Sequence, residues 1–468
     1  MPTPNETAPF GARGAPVFVP LDGLLGIVQF LLGHMSTEAI RFFAATDVGC
    51  VREHNEDNFL VDKKLSLFMV ADGMGGHAAG EVASAIAVRT IHEEIKRERE
   101  LLNDFVSGAR GASRVTNKDV LALLEHSVQR ACSRIHEEAQ ADPEKRGMGT
   151  TLSALLILGT RGFIAHVGDS RIYLQRGGTV QQVTEDHTVF NELIKRGKLT
   201  KEQIDKIGHK NAITRAVGVY ERVDVDTLMI EVLPGDDFLL TSDGLTGYLE
   251  SAEELLTWFQ QDGDTASKGL VELAKERGGK DNITVVIVRL GGDGDDDERA
   301  KQLALKREVL ARMPLFARLG DRELLRVMQS VEVRKYDHEQ IVIREGDKGD
   351  ELFIVLSGKV TVSRGGETLT RLGAGEHFGE MALIRAVPRS ATVRADGTAE
   401  LIAIRRADFF ELLRSEHEIA VKMLWQFLGV LADRLDATSS ELRHAKLELH
   451  AEELQTDDVT IEIFPGIE

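Results

Sequence analysis

Apolar and polar positions follow several distinct textures along this 468-residue chain. Between about residues 37 and 290, short apolar runs alternate with helical patterns. LSLFMVAD (Leu65–Asp72) is an apolar run closed by Gly73, which predicts a buried strand. The runs Thr151–Gly159 and Gly162–Gly168 flank a glycine-containing turn and predict a hairpin. SRIYLQRGG and then VQQVTED predict the next meander, and Asp237–Gly244 and Asn282–Leu290 predict further strands. GEVASAIAVRTIHEEI sets Val82, Ile86 and Ile91 near one face of a helix, and VLALLEHSVQRACSRIHEEA does the same for Leu121, Leu124, Val128, Cys132 and Ile135. Strands in hairpins with helices outside them predict an α+β fold of antiparallel sheets flanked by helices.

The texture changes after residue 290. GGDGDDDERA is glycine-rich and acidic, cannot bury a core, and is assigned to a linker over 291–304. A helix-like stretch, ERAKQLALKREVLARM, overlaps its end. Beyond Pro314, strand patterns recur with turn signals every ten or so residues, as in a β-roll or barrel. ADFFELLRSEHEIAVKMLWQFLGVLADRL closes this second domain, set at 305–435. The tail over 436–468 is expected to fray, apart from an amphipathic piece around Leu442–Leu454. Residues 1–36 form an extension expected to be poorly ordered, with Met35 a candidate start of the native protein.

Composition narrows the function classes. The 57 Lys+Arg face 76 Asp+Glu, a formal charge of −19, so a nucleic-acid partner is not expected. The apolar run around Leu24–Leu32 is shorter than the roughly 20 residues a bilayer requires. No secretory signal is evident. Two cysteines, Cys50 and Cys132, cannot make a disulfide framework, so a cytoplasmic location is expected. Cys50 is expected to be a small buried side chain.

The candidate chemistry lies in carboxylates at element ends. DVGCVREHNED supplies Arg52, Glu56 and Asp57, and VADGMGG supplies Asp72 and Gly73. HVGDSR supplies Asp169, TSDGL supplies Asp243, and KDNIT supplies Asp281 and Asn282. One Asp-Gly alone is more often a turn than a ligand. Several converging strand ends would crowd like charges, which is costly unless hard cations such as Mg²⁺ or Mn²⁺ neutralise them.

With those motifs in order, and with GMGTT (Gly147–Thr151) and TEDHT between them, the segment 37–290 resembles the metal-dependent type-2C protein serine/threonine phosphatases. The resemblance implies two stacked antiparallel sheets flanked by helices, with Mn²⁺ or Mg²⁺ between them. Asp72 would bridge two metals, Gly73 would coordinate through its carbonyl, and Asp243 and Asp281 would complete the first metal. Glu56 and Asp57 would act through metal-bound waters, with Asp57 orienting the nucleophile. Asp169 would join Asp243 at the third metal of bacterial members. Arg52 would clamp the substrate phosphate, with Asn282 also at the substrate. Two cations about 3.5–4 Å apart would acidify a bridging water for in-line attack on a phosphoserine or phosphothreonine of a protein substrate. Met74 stands where animal and plant members usually carry His, which points to the bacterial branch and leaves the general acid unassigned. His77 is expected to be structural. Thr184–Gly218 resembles the family's flap.

In the second domain, FGEMALIRAVPRSATV (Phe378–Val393) resembles the phosphate-binding cassette of cyclic nucleotide-binding domains, with LGAGEHFGE and IVIREGDKGDELFIVLSGKV upstream. That resemblance implies that Glu380 binds the ribose 2′-hydroxyl, that Arg389 binds the cyclic phosphate of cAMP or cGMP, and that Gly379 and Ser390 support it. The expected function is phosphoprotein hydrolysis regulated by cyclic nucleotide. The alternatives are a degenerate sensor used for protein contacts, a silent nucleotide-binding scaffold, or a phosphatase of anti-anti-sigma factors.

Overall fold

A computed structural model describes residues 40–75, 79–108, 115–195, 203, 212–291, 297–385 and 387–456. The N-terminal extension, His77 and much of the flap-like segment lie outside the described residues.

Two sheets stack face to face in the first half of the chain. One carries β1 (Ile40–Asp47), β11 (Ile283–Leu290), β10 (Asp237–Thr241), β7 (Arg171–Arg176) and β8 (Thr179–Gln182) in that spatial order. The other carries β2 (Asp57–Asp62), β3 (Leu67–Met74), β5 (Leu152–Leu158), β6 (Arg161–Val167) and β9 (Asp226–Glu231), with β4 (Gly149–Thr150) beside β3. The paired strands of both sheets run antiparallel. The expected β5–β6 hairpin forms, and Gly159 takes the left-handed conformation its turn needs (φ +58°).

Burial explains the unbroken apolar run of β3. Phe68 and Val70 pack between the sheets with Leu155, Ile164, Phe238 and Val286. Met69 and Ala71 pack on the other side with Ile91 of α1 (Ala79–Arg97) and Leu124 of α2 (Asn117–Ala141). Both faces of β3 are covered, so no polar alternation survives. On the opposite sheet, Leu239, Val285 and Ile287 pack against Leu270 and Ala274 of α3 (Gly263–Glu276). The layers are helix, sheet, sheet, helix, and each large buried side chain contributes about 1.5–3 kcal/mol.

The second half forms two four-stranded sheets. One is β12 (Glu332–Tyr336), β19 (Ala399–Arg405), β14 (Glu351–Ser357) and β17 (His377–Phe378). The other is β13 (Ile341–Ile343), β18 (Thr392–Ala395), β15 (Val360–Arg364) and β16 (Glu367–Leu372). Phe353, Val360, Val393 and Leu401 fill the space between them. Helices α4 (Asp297–Arg312), α5 (Asp321–Gln329), α6 (Arg406–Ser415) and the start of α7 (His417–Thr456) pack against Leu352, Ile354 and Ile404.

Two sequence expectations change. Helix α4 begins at Asp297, inside the stretch assigned to a linker, because acidic residues in a first turn suit the positive end of a helix. Helix α7 continues to Thr456, through the region expected to fray.

The two halves touch. Arg326 and Gln329 of α5 donate hydrogen bonds to the Thr227 and Met229 carbonyls of β9, the last strand of its sheet. Lys118 of α2 pairs with Glu411 of α6. Arg326 also pairs with Glu416, at the junction of α6 and α7 (3.1 Å).

Candidate functional site

The carboxylates singled out from the sequence meet where the two sheets of the first half come together. Asp57 opens β2 and lies directly opposite Asp72 on β3. Asp243 follows β10 on a short helix, Asp281 precedes β11, and Asp169 sits in the β6–β7 connection. A cavity of about 270 Å³ is lined by Arg52, Glu56, Asp72, Gly73, Asp169, Asp243 and Asp281, together with Met74, Thr151 and Ile213.

Two close approaches build this corner. A Cβ on Gly73 would stand 2.1 Å from the Gly80 carbonyl oxygen and 2.6 Å from that of Glu56. A Cβ on Gly80 would stand 2.8 Å from the Glu56 carboxylate. The first turn of α1 therefore lies directly on the end of β3, and the Gly80 amide donates to the Glu56 side chain. Gly80 stands only a few residues after VADGMGG, and its need for a missing side chain is visible only in the packed structure.

The anchoring bonds fix each carboxylate's backbone. The Asp72 amide donates to Thr151 Oγ1 (3.0 Å), and the Asp72 carbonyl accepts from Thr150 Oγ1 and the Thr151 amide (2.8 Å each). Ser242 Oγ donates to Asp57 Oδ2 (2.7 Å) and accepts from the Thr284 amide (3.0 Å), so it links β2 to β11. Asn282 departs from its expected place at the substrate. It is buried, its Nδ2 donates to the Val48 and His54 carbonyls (3.0 and 2.9 Å), and its Oδ1 accepts from the Glu56 amide (2.8 Å). It ties the Arg52–Glu56 loop to β11 instead.

The electrostatics are strained in one direction. Burial, then the charges of Asp243 and Asp281, pushes Asp57 up to about 7. Burial, then Asp57, Asp243, Asp169 and Asp281, holds Asp72 well above the usual carboxylate range. Asp169 is pushed up to about 7 by burial and by Asp243. Burial raises Asp243, with Asp281 adding to it, and burial raises Glu56. Asp57 Oδ1 and Asp243 Oδ1 are buried without a hydrogen-bond partner. The guanidinium of Arg52 pairs with Asp281 (2.6 Å). Among the described residues, no three acidic, histidine or cysteine side chains already surround one point at ligand spacing. The donor set nonetheless fits hard divalent cations: it is all oxygen, it is rich in charge, and two of its oxygens lack donors.

Cys50 is exposed, contrary to expectation, because its amide is drawn to the Gly279 carbonyl (2.7 Å) at the tip of the Gly49 turn. Cys132 is buried in α2 as its spacing predicts.

A second site lies in the other half. Arg389 is only 8 % exposed. Its Nη2 donates to the Glu351 carbonyl (2.8 Å) and its Nη1 to the Gly379 carbonyl (3.4 Å). The nearby Glu351 carboxylate is taken by Arg334 instead (2.7 and 3.1 Å). Burial lowers the Arg389 pKa, opposed by the charges of Glu351, Asp350 and Glu380. Two glycines cradle the guanidinium. A Cβ on Gly379 (φ +79°) would stand 2.5 Å from Nη1, and one on Gly349 would stand 2.0 Å from Nε. Gly349 has no signal of its own in the sequence. Glu380 precedes the short helix Met381–Ile384, and Ser390 is exposed beside Arg389. A buried cation bonded to carbonyls suits an anion.

Comparison with known proteins finds a match in each half of the chain. The Protein phosphatase 2C family model matches residues 51–269, and the Cyclic nucleotide-binding domain model matches residues 333–416. The chain is 38% identical over 248 residues to the serine/threonine phosphatase stp of Listeria innocua, covering 52% of this chain and 93% of that protein. It is 35% identical over 303 residues to the serine/threonine protein phosphatase PstP of Mycobacterium tuberculosis, covering 59% of this chain and 55% of that one. A crystal structure of the Mycobacterium tuberculosis serine/threonine phosphatase PstP/Ppp is 36% identical and covers 54% of this chain and 99% of its own, with a TM-score of 0.47. No helix among the described residues is long and apolar enough to cross a membrane. The chain belongs to the protein phosphatase 2C family of serine/threonine phosphatases, and it carries a cyclic nucleotide-binding domain after the phosphatase domain.

Proposed function

We propose that the enzyme hydrolyses phosphoserine and phosphothreonine in protein substrates at the carboxylate cavity, with Mn²⁺ or Mg²⁺ held by Asp72, the Gly73 carbonyl, Asp169, Asp243 and Asp281. The observation that carries this is the set of converging buried and half-buried carboxylates with raised pKa values, two of whose Oδ atoms lack donors. When bound, the cations supply Lewis acidity toward the phosphoryl oxygens and acidify the attacking water. Asp57 orients that water through Oδ1, the oxygen that Ser242 leaves free. Arg52, whose side chain is about half exposed at the cavity rim, leaves Asp281 and presents its two-pronged guanidinium to the substrate phosphate. Asn282 and Ser242 act as positioning residues for Glu56 and Asp57. The phosphatase unit ends near Gly291, and the sensor unit runs from α4 into α7.

The sensor's buried Arg389 supports binding of the phosphate of a cyclic nucleotide, with Glu380 at the ribose. Regulation follows from a contiguous set of contacts. Glu416 at the α6–α7 junction holds Arg326, which grips the Thr227 carbonyl of β9. The neighbouring Asp226 accepts from Arg215 (3.0 Å) and faces His187 (3.3 Å). His187 Nδ1 accepts from the Gly168 amide (3.1 Å), one residue before Asp169. A ligand that prefers one setting of the α6–α7 junction shifts the setting of this path by its differential affinity.

Calorimetric titration of the full chain with cAMP and with cGMP tests the sensor, and hydrolysis of a phosphothreonine peptide at each nucleotide concentration tests the coupling. Binding is expected for wild type and lost in Arg389→Ala. Arg326→Ala is expected to bind nucleotide while losing the change in rate. No heat with either nucleotide, or binding with no change in rate, refutes the regulatory reading and leaves the phosphatase reading standing.

A further inference from the structure

The long helix α7 has two faces in its first turns. Ile419 and Met423 are buried in the sensor core. On the other side Val421, Leu424, Trp425 and Leu428 are 56%, 57%, 65% and 59% exposed. These four form one contiguous apolar stripe on a folded domain, which marks a contact surface. The stripe continues in sequence. Val421, Leu428, Leu435, Leu442 and Leu449 recur every seven residues, and Leu424, Leu431 and Ala445 fall three residues after the first, second and fourth of them. Only Thr438 breaks the seam across four heptads. An apolar repeat of that length argues for a coiled coil.

We infer that α7 pairs with α7 of a second copy of this chain, as a parallel two-stranded coil. The seam is self-complementary, because in a parallel pair each layer meets its own residue type. The flanking charges agree. With Val421 at position a, Glu441 falls at g and Lys446 at the following e, so each copy offers the other an opposite charge, twice by symmetry. Leu442, the a residue between them, is 58% exposed in the single chain. The domain-facing residues Ile419 and Met423 fall at f and c, away from this seam, so the sensor core and the partner use different faces of one helix. A helix of 40 residues spans about 60 Å, and most helical stability in proteins comes from packing an amphipathic face. Because α7 starts at His417, directly after Glu416, the same pairing sets the junction that holds Arg326.

Sedimentation velocity of the full chain at micromolar concentration is expected to give twice the 51.5 kDa of one chain. The double variant Leu428→Glu, Leu442→Glu, with both sites exposed, is expected to sediment as a monomer and keep its rate on p-nitrophenyl phosphate. In a Cys50→Ser background, Leu442→Cys is expected to form an interchain disulfide on mild oxidation, since equal residues face each other at a in a parallel pair. A wild-type monomer overturns the inference, as does a dimer that survives the double substitution. A dimer that never cross-links at 442 overturns the parallel register.

Discussion

Replacing Asp57 by Asn should abolish catalysis and yet stabilise the metal-free protein. Asp57 is 7 % exposed, and its carboxyl is pushed from 3.8 up to about 7 by burial among other carboxylates. Because the folded value lies above the unfolded one, the protonated carboxyl favours the fold at low pH. That contribution is lost as pH climbs through about 7. That rise corresponds to about 4 kcal/mol, and because Asp243 and Asp281 contribute to it, removing the Asp57 charge alone recovers about 2–4 kcal/mol. Asn keeps the acceptor for Ser242 Oγ and carries no charge at any pH. At roughly 2–4 °C per kcal/mol for a unit of this size, D57N should melt about 5–10 °C above wild type at pH 8 in EDTA. Differential scanning fluorimetry at pH 8 and pH 5.5 reads this directly. The gap should shrink at pH 5.5, where wild-type Asp57 is already protonated. Saturating Mn²⁺ should reverse the order, since the cation offsets the buried charge and binds the native state alone. A metal-free D57N that melts with or below wild type at pH 8, or a gap that does not change with pH, refutes the electrostatic account of the cavity.

Other outcomes follow from named contacts. Gly73→Ala should cost about 2 kcal/mol and most of the activity, because its Cβ would stand 2.1 Å from the Gly80 carbonyl oxygen and push α1 off β3; thermal melting and peptide hydrolysis should fall together. Arg176→Ala should cost about 3–5 kcal/mol in chemical denaturation, since it strands the 1 % exposed Asp236, which now accepts from Arg176 Nε and Nη2 at 2.7 and 2.6 Å. Because Arg176 does not line the cavity, the folded fraction of that variant should keep its turnover rate.

Sequence motifs and burial together made most of the phosphatase domain legible. The run Leu67–Ala71 declares a strand because both of its faces are covered, and helices α1 and α2 declare themselves by one apolar stripe each. Carboxylates at element ends were legible because strand ends are where a sandwich brings distant segments together. Asn282 was not. Its type suits a ligand, and only the fold shows its three side-chain bonds spent on a loop. Gly349 and Gly80 were silent for the same reason: a missing Cβ matters only against a neighbour from elsewhere in the chain. The helix from Glu298 was legible and α4 begins one residue earlier, at Asp297; only the linker was drawn too long, because acidic residues read as solvated chain also favour a helix N-terminus. The length of α7 was misjudged because its polar Glu, Lys, Arg and Ala are strong helix formers. The grip of Arg326 on β9 leaves no sequence signal, since it binds main-chain carbonyls that every residue carries.

The most direct measurement is the rate at which the full chain releases phosphate from a phosphothreonine peptide, with Mn²⁺ and after chelation, for wild type and Asp72→Asn. Asp72 is half-buried at the centre of the carboxylate set, and its charge is felt by Arg52 at the rim. Wild type should turn over only with the cation present. Asp72→Asn should lose more than the roughly 10–100-fold that changes one layer out from a metal cost, at every Mn²⁺ concentration and with an intact fold by circular dichroism. Hydrolysis that persists after chelation, or an Asp72→Asn rate within tenfold of wild type, would contradict the account.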